Sequence, residues 1–170
     1  MKRLIAFAAL FFSMFNLSSA SPLAVGADAP DATAPDETGR MVRLADAYLK
    51  SEYTLVYFYP KADTPGCTAQ GCSLRDAYEA LTAKGVAIYG VSTDSVESQR
   101  KFKEGQRFPF TLLADTEKKV IAAFGVGTTF GFSSRQAYLI HKGKVVYADH
   151  KGSTKQQAED VLHFLGQAAK

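Results

Sequence analysis

Residues 53–59 read Tyr-Thr-Leu-Val-Tyr-Phe-Tyr, with no charge and no alternating polar face. A run this apolar, rich in β-branched and aromatic residues, predicts a strand buried on both faces. Such a strand needs a layer on each side, so the chain is restricted to a sheet with helices packed on both faces. The rest of the sequence supplies the pieces. Leu74, Ala77, Tyr78 and Leu81 recur at helical spacing, and Lys84-Gly85 is a stop signal for that helix. Residues 86–91 read as the next strand and 96–106 as a helix. Residues 108–113 are a turn and a short strand, and 116–124 a helix ended by Gly125. Residues 137–140 and 145–148 flank Lys142-Gly143-Lys144 as a hairpin, and 158–165 form a C-terminal amphipathic helix. Ahead of the central strand, residues 21–39 suit an extended arm, 41–44 a short strand and 46–49 one helical turn. Residues 127–134 read as a loop. Strands alternating with helices, with a late hairpin, predict an α/β fold: a central mixed β-sheet flanked by helices on both faces.

Pro60 ends the central strand, because proline cannot donate to a sheet ladder. The next segment holds both cysteines of the chain, Cys67 and Cys72. Thr64 suits an N-cap and Pro65 the first helical position, which puts Cys67 at the third. A thiol attacks as its thiolate, and the first turn of a helix favours negative charge. Cys67 is therefore the candidate nucleophile. The Thr64 hydroxyl is expected to donate to its sulfur or to a bound substrate oxygen. Arg135, which closes the 127–134 loop just before a predicted core strand, is the candidate cation beside it.

Cys72 lies five positions after Cys67. On a regular helix that is about 140° around the axis, with Cα atoms roughly 8–9 Å apart. A disulfide needs about 7 Å or less. The pair can bond only if the helix opens, and Gly71 lowers the cost of opening by about 1 kcal/mol relative to alanine. The spacing favours a redox cycle over a static staple.

The first twenty residues read as a targeting segment. Lys2 and Arg3 precede an apolar run over residues 4–15, and Ser18-Ser19-Ala20 offers a cleavage site. The run is shorter than the roughly 20 residues that span a bilayer. The expected organisation is a signal peptide over 1–20, cleaved near Ala20, and a single domain over 21–170. The protein is expected to be exported to the periplasm, with no membrane attachment after cleavage. The formal charge of the chain is +3, and about +1 once Lys2 and Arg3 are set aside, which gives no electrostatic case for a nucleic-acid partner.

Pro60-x-x-x-Thr64-x-x-Cys67 resembles the active-site motif of the peroxiredoxins, and the spacing to Cys72 is similar to the bacterioferritin-comigratory, or Q-type, subfamily. Further matches occur in order: Val25-Gly26-x-x-Ala29-Pro30-Asp31, Tyr57-Phe58-Tyr59-Pro60-Lys61, Leu74-Arg75-Asp76, Gly90-Val91-Ser92-x-Asp94, Phe108-Pro109-Phe110, Leu113-x-Asp115, Phe124-Gly125-Val126, and Arg135 before Ala137-Tyr138-Leu139-Ile140. Ala32 departs from the aromatic residue usual there. The resemblance implies a thioredoxin-like fold and a thiol peroxidase acting on hydrogen peroxide and organic hydroperoxides. It implies Cys67 as the peroxidatic and Cys72 as the resolving cysteine. Thr64 and Arg135 would orient the peroxide and stabilise the thiolate, and Pro60 would shield the pocket. It implies recycling of a Cys67–Cys72 disulfide by a thioredoxin-like dithiol, with no metal or organic cofactor. Both cysteines in one helix need no second subunit, so a monomer is expected.

Two other functions fit a cysteine pair on such a fold. An exported disulfide reductase would normally carry Cys-x-x-Cys, which is absent. A copper-binding protein would use Cys67, Cys72 and one of His141, His150 or His163, although their spacing matches no recognised metal pattern. Glu79, Asp94 and Asp115 read as surface or capping residues.

Overall fold

A computed structural model describes residues 21–168. The expected targeting segment, residues 1–20, lies outside the described residues. Among those described, no helix is long and apolar enough to cross a membrane.

The elements run β1 (Thr33–Pro35), β2 (Met41–Arg43), α1 (Leu44–Lys50), β3 (Tyr53–Phe58), α2 (Pro65–Asp76), α3 (Tyr78–Thr82), β4 (Val86–Ser92), α4 (Val96–Gln106), β5 (Thr111–Ala114), α5 (Lys119–Ala123), β6 (Thr128–Thr129), β7 (Phe132–Ser133), β8 (Gln136–His141), β9 (Lys144–Asp149) and α6 (Gln157–Ala168). Five strands form the main sheet in the order β5-β4-β3-β8-β9. The run that starts at Tyr53 is its centre, parallel to β4 and antiparallel to β8. The expected α/β architecture with a mixed sheet is the one observed.

Alternate residues of β3 feed two cores. Leu55 and Tyr57, with Tyr59 just past the strand, lie on one side, where they join Leu74 of α2, Leu81 of α3, Phe102 of α4 and Leu165 of α6. Val56 and Phe58 point to the other, against Leu44 of α1, Val120 and Ile121 of α5, and Phe124. Each fully buried side chain of this size contributes about 1.5–3 kcal/mol, which is why a central strand with no polar face is tolerated here. The N-terminal arm lies along the second face. Its Gly26 amide donates to the Val145 carbonyl at 2.8 Å, and Asp36 bridges to Leu113 of β5.

The structure corrects three local expectations. The helix expected to run unbroken to Lys84 divides at Ala77, whose backbone leaves the helical region at φ −99°, ψ 11°. Its apolar stripe still faces one core, because Leu74 and Leu81 are fully buried. The helix expected to begin at Thr116 begins at Lys119, after Lys118 takes a left-handed conformation with φ 58°. The loop over 127–134 contains a small hairpin, with Thr128 opposite Ser133.

Candidate active site

β3 delivers the chain to the site, and two side chains from elsewhere hold the segment between its end and α2. Ser133 of β7 donates to the Tyr59 carbonyl at 2.7 Å. The Asp94 carboxylate, after β4, accepts from the Ala62 amide at 2.8 Å and from Ser92 Oγ at 2.7 Å. Pro60 and Lys61 therefore cross the end of the sheet on a pinned path. Asp63 turns the chain in a left-handed conformation (φ 57°). Thr64 is the N-cap residue of α2, with Pro65 at the first helical position. Cys67 stands at the third position, as expected from the cap residues.

Cys67 is buried, 1% exposed, against the core that includes Tyr57 and Tyr59. Its sulfur lies 3.4 Å from Nη2 of Arg135. Arg135 comes from the turn between β7 and β8, so the register of β8 against β3 carries the guanidinium to the helix start. Gly66 makes room for it: a Cβ there would stand 3.2 Å from Nη2. The other side of the guanidinium donates through Nη1 to the Gln70 side-chain oxygen. Gln70 is fully buried, and its Nε2 donates in turn to Oε1 of Gln157 at 2.9 Å. Among the described residues, Nε2 of Gln157 is buried without a partner. Neither glutamine is among the residues that the sequence singles out. Gln70 lies one turn after Cys67, at i+3, and therefore on the same helix face. That spacing is the signal available for finding it.

Thr64 differs from expectation. Its hydroxyl donates to the Lys61 carbonyl at 3.0 Å and not to the Cys67 sulfur, and it makes no cap bond to the helix. The tight turn at Asp63 brings Lys61 within reach, and a hydroxyl has one proton to give. What Thr64 presents to a ligand is therefore lone pairs. Pro60 sits half-buried directly after Tyr59.

Cys72 is half-buried on the same unbroken helix, and both cysteines are free thiols. Its sulfur faces Gln106 at the end of α4, with Sγ 3.8 Å from Oε1. The two thiols thus meet different neighbours, Arg135 for one and Gln106 for the other. Beneath them lies Tyr57, whose phenol oxygen is buried without a partner among the described residues. Burial, and then the neighbouring Tyr59, Cys67 and Cys72, push this phenol well above its ordinary pKa. Tyr57 is therefore a neutral floor to the site.

The histidines lie elsewhere. His141 is at the far end of β8, opposite Tyr53 and 2.8 Å from Glu52. His150 contacts the Leu23 carbonyl and His163 contacts Gln167. Among the described residues no three of His, Cys, Asp and Glu stand together as a metal site. The copper ligand set of two cysteines and a histidine is not assembled. Glu79 is exposed, while Asp94 and Asp115 accept from backbone amides, as expected of capping residues.

A thiol beneath an arginine at a strand-to-helix junction of a thioredoxin-like sheet defines a class of thiol enzymes, and comparison with known proteins identifies the group. The AhpC/TSA family profile matches residues 25–148. Peroxiredoxin Bcp of Escherichia coli K12 is 38% identical over 157 residues, spanning 88% of this chain and 99% of the relative. Peroxiredoxin Bcp of Bacillus subtilis is 37% identical over 149 residues, spanning 83% and 94%. The solved structure of peroxidoxin BcpB from Mycobacterium tuberculosis superposes with a TM-score of 0.78 at 33% identity, covering 86% of this chain and 97% of that one. Peroxiredoxin Q of Xanthomonas campestris gives 0.73 at 31% identity, covering 81% and 91%. The chain belongs to the AhpC/TSA family, in its peroxiredoxin Bcp/Q group.

Proposed function

We propose that this protein is a thiol-dependent peroxidase in which Cys67 reduces the hydroperoxide, Cys72 resolves the product, and a thioredoxin-like dithiol regenerates both thiols. The observation that carries the reading is the guanidinium of Arg135 set 3.4 Å from a buried thiol at a helix start. A cation and the unpaired N–H groups of a first helical turn place hydrogen-bond donors where negative charge develops as the sulfur attacks.

The proposed chemistry follows from these positions. The Cys67 sulfur attacks the terminal peroxide oxygen, the O–O bond breaks, and the alcohol or water leaves with a proton. Negative charge develops on the departing oxygen, where Arg135 and the first-turn N–H groups of α2 donate to it. The proton of the Thr64 hydroxyl is held by the Lys61 carbonyl, so Thr64 accepts from the peroxide O–H and sets its direction of approach. Pro60 screens the sulfur from water. Cys67 is left as sulfenic acid. The Cys72 sulfur then displaces water from it to form the disulfide, which dithiol exchange reduces. One chain carries both sulfurs, so a monomer suffices.

The test is a pair of variants. Cys67→Ser is expected to abolish peroxide consumption. Cys72→Ser is expected to complete one turnover and then fail to recycle with thioredoxin. A Cys67→Ser protein that still consumes peroxide would sink the reading. We further propose that residues 1–20 are a signal peptide and the domain works in the periplasm; a secreted protein whose mass still includes residues 1–20 would overturn that.

A further inference from the structure

The second step needs Cys72 to reach Cys67, and on an intact helix it cannot. The contacts that hold α2 closed therefore bear on the rate. Three of them reach the second half of α2 from one corner, Gln106-Arg107-Phe108, where α4 ends. The Gln106 carbonyl accepts from Nη1 of Arg75 at 2.8 Å. The Gln106 side-chain oxygen accepts from the Cys72 thiol at 3.8 Å. The Phe108 ring lies so close to the helix that a Cβ on Gly71 would stand 2.4 Å from its tip. That ring is 3% exposed, stacked on Phe110 and edge-on to Phe102, so it belongs to the rigid core. Arg107, in the left-handed conformation (φ 56°), turns the chain so that its two neighbours both face α2. Gly71 is thus a notch for a ring, and its place in the helix is a packing requirement.

We propose that this corner is the latch of the resolving helix. While it is closed, the Cys72 thiol is docked as a hydrogen-bond donor to Gln106, turned toward α4. Unwinding α2 pulls Gly71, Cys72 and Arg75 off the corner together and frees the sulfur for attack. Gln106 and Phe108 are positioning residues: they act through α2, and they set how long the sulfenic acid waits. During that wait a second hydroperoxide competes with Cys72, oxidising Cys67–SOH to the sulfinic acid and leaving as its alcohol. The latch thereby sets the enzyme's sensitivity to inactivation by its own substrate. The inference rests on the assignment of Cys72 as the resolving thiol.

The test uses Phe108→Leu and Gln106→Ala. Arg75 is left in place, because its guanidinium also faces Cys72. Reduced protein is mixed with one equivalent of hydrogen peroxide, and sulfenic acid and disulfide are followed by acid quench and intact mass. Oxidation of Cys67 should keep its wild-type rate. Disulfide formation should quicken about tenfold in Phe108→Leu and about threefold in Gln106→Ala, the sizes expected for an unfilled notch and one lost hydrogen bond. Sulfinic acid formed at excess peroxide should fall in the same order, and amide exchange over residues 67–76 should rise. Resolution unchanged or slower in either folded variant overturns the latch; if Phe108→Leu does not fold, Gln106→Ala alone decides. If the wild type forms no Cys67–Cys72 disulfide at all, the resolving assignment itself falls, a result separable from a bridge that forms at an unaltered rate in the variants.

Discussion

Gln70 is the residue on which the site's geometry turns. It takes one hydrogen bond from Arg135 and gives one to Gln157, so the guanidinium is fixed on the side away from the sulfur. Replacing it with leucine leaves a half-buried arginine face and a buried amide unpaired, and the guanidinium loses the anchor that aims it at Cys67. Gln70→Leu is expected to slow the oxidation of Cys67 about tenfold, measured as the second-order rate constant with hydrogen peroxide. Gln70→Glu retains an acceptor for Arg135 but sets a carboxylate against its charge, so it should slow the oxidation as well. Arg135 is legible in the sequence because an arginine stands immediately before a core strand. Gln70 is not, since glutamine is common on solvent faces of helices and its burial comes from packing against α6. The place of Thr64 at the helix start is legible, but the acceptor of its proton is not. Only the backbone path through Asp63 decides that the Lys61 carbonyl lies nearest.

Elements are legible where their caps are. α4 spans Val96–Gln106, the expected bounds, with Ser95 Oγ accepting from the Ser98 amide at 3.3 Å. The pattern starts α5 three residues early, because its true cap comes from Asp115, which precedes it in the chain by four positions. The Asp115 carboxylate accepts from the Lys119 and Ile121 amides, each at 2.8 Å. These are orphan donors of a helix start, satisfied from outside the usual capping position. Asp115→Ala is expected to cost about 1–2 kcal/mol, read as a lower urea midpoint with unchanged slope. The break at Ala77 escapes the pattern for a related reason. An i, i+3, i+4, i+7 stripe persists across a break when both pieces lean on one sheet face, so the period alone does not reveal the interruption.

At the scale of the whole molecule, the arm that precedes the sheet is bridged to β5 at Asp36, and a buried charge holds the turn that follows. Asp36, 3% exposed, would be raised by burial, but hydrogen bonds from the Thr38 hydroxyl and amide and the Arg40 amide outweigh this and hold it below the ordinary aspartate value. A carboxyl with a depressed folded pKa contributes stability that is present above the unfolded value and lost as pH falls through the folded one. Asp115 works in the opposite sense. Burial raises it despite its amide donors, so its contribution declines as pH rises from the unfolded value through the raised one. Asp36→Asn is therefore expected to lower the melting temperature at neutral pH. The gap from wild type should close as pH falls from the unfolded aspartate value through the lower folded one. A gap that stays constant across that range would show that the carboxylate charge is not what holds the turn.

The sequence by itself determined where most of the strands and helices lie, that one strand is central, and that a thiol stands at a helix start with a second thiol out of bonding reach on the same helix. These are local matters of apolar period, capping chemistry and helix rise, set within a few neighbouring residues. Only the tertiary structure decided what surrounds each sulfur. Arg135 is 68 positions from Cys67 and Gln157 is 87 from Gln70, and they meet because β8 pairs with β3 and α6 packs on α2. Contacts at that separation depend on strand register and helix docking, which no local pattern encodes. The same holds for Gly71. In the sequence it is a weak point in a helix; in the fold it is the seat of a phenylalanine ring 37 positions away, so it favours the closed helix as well as easing its opening.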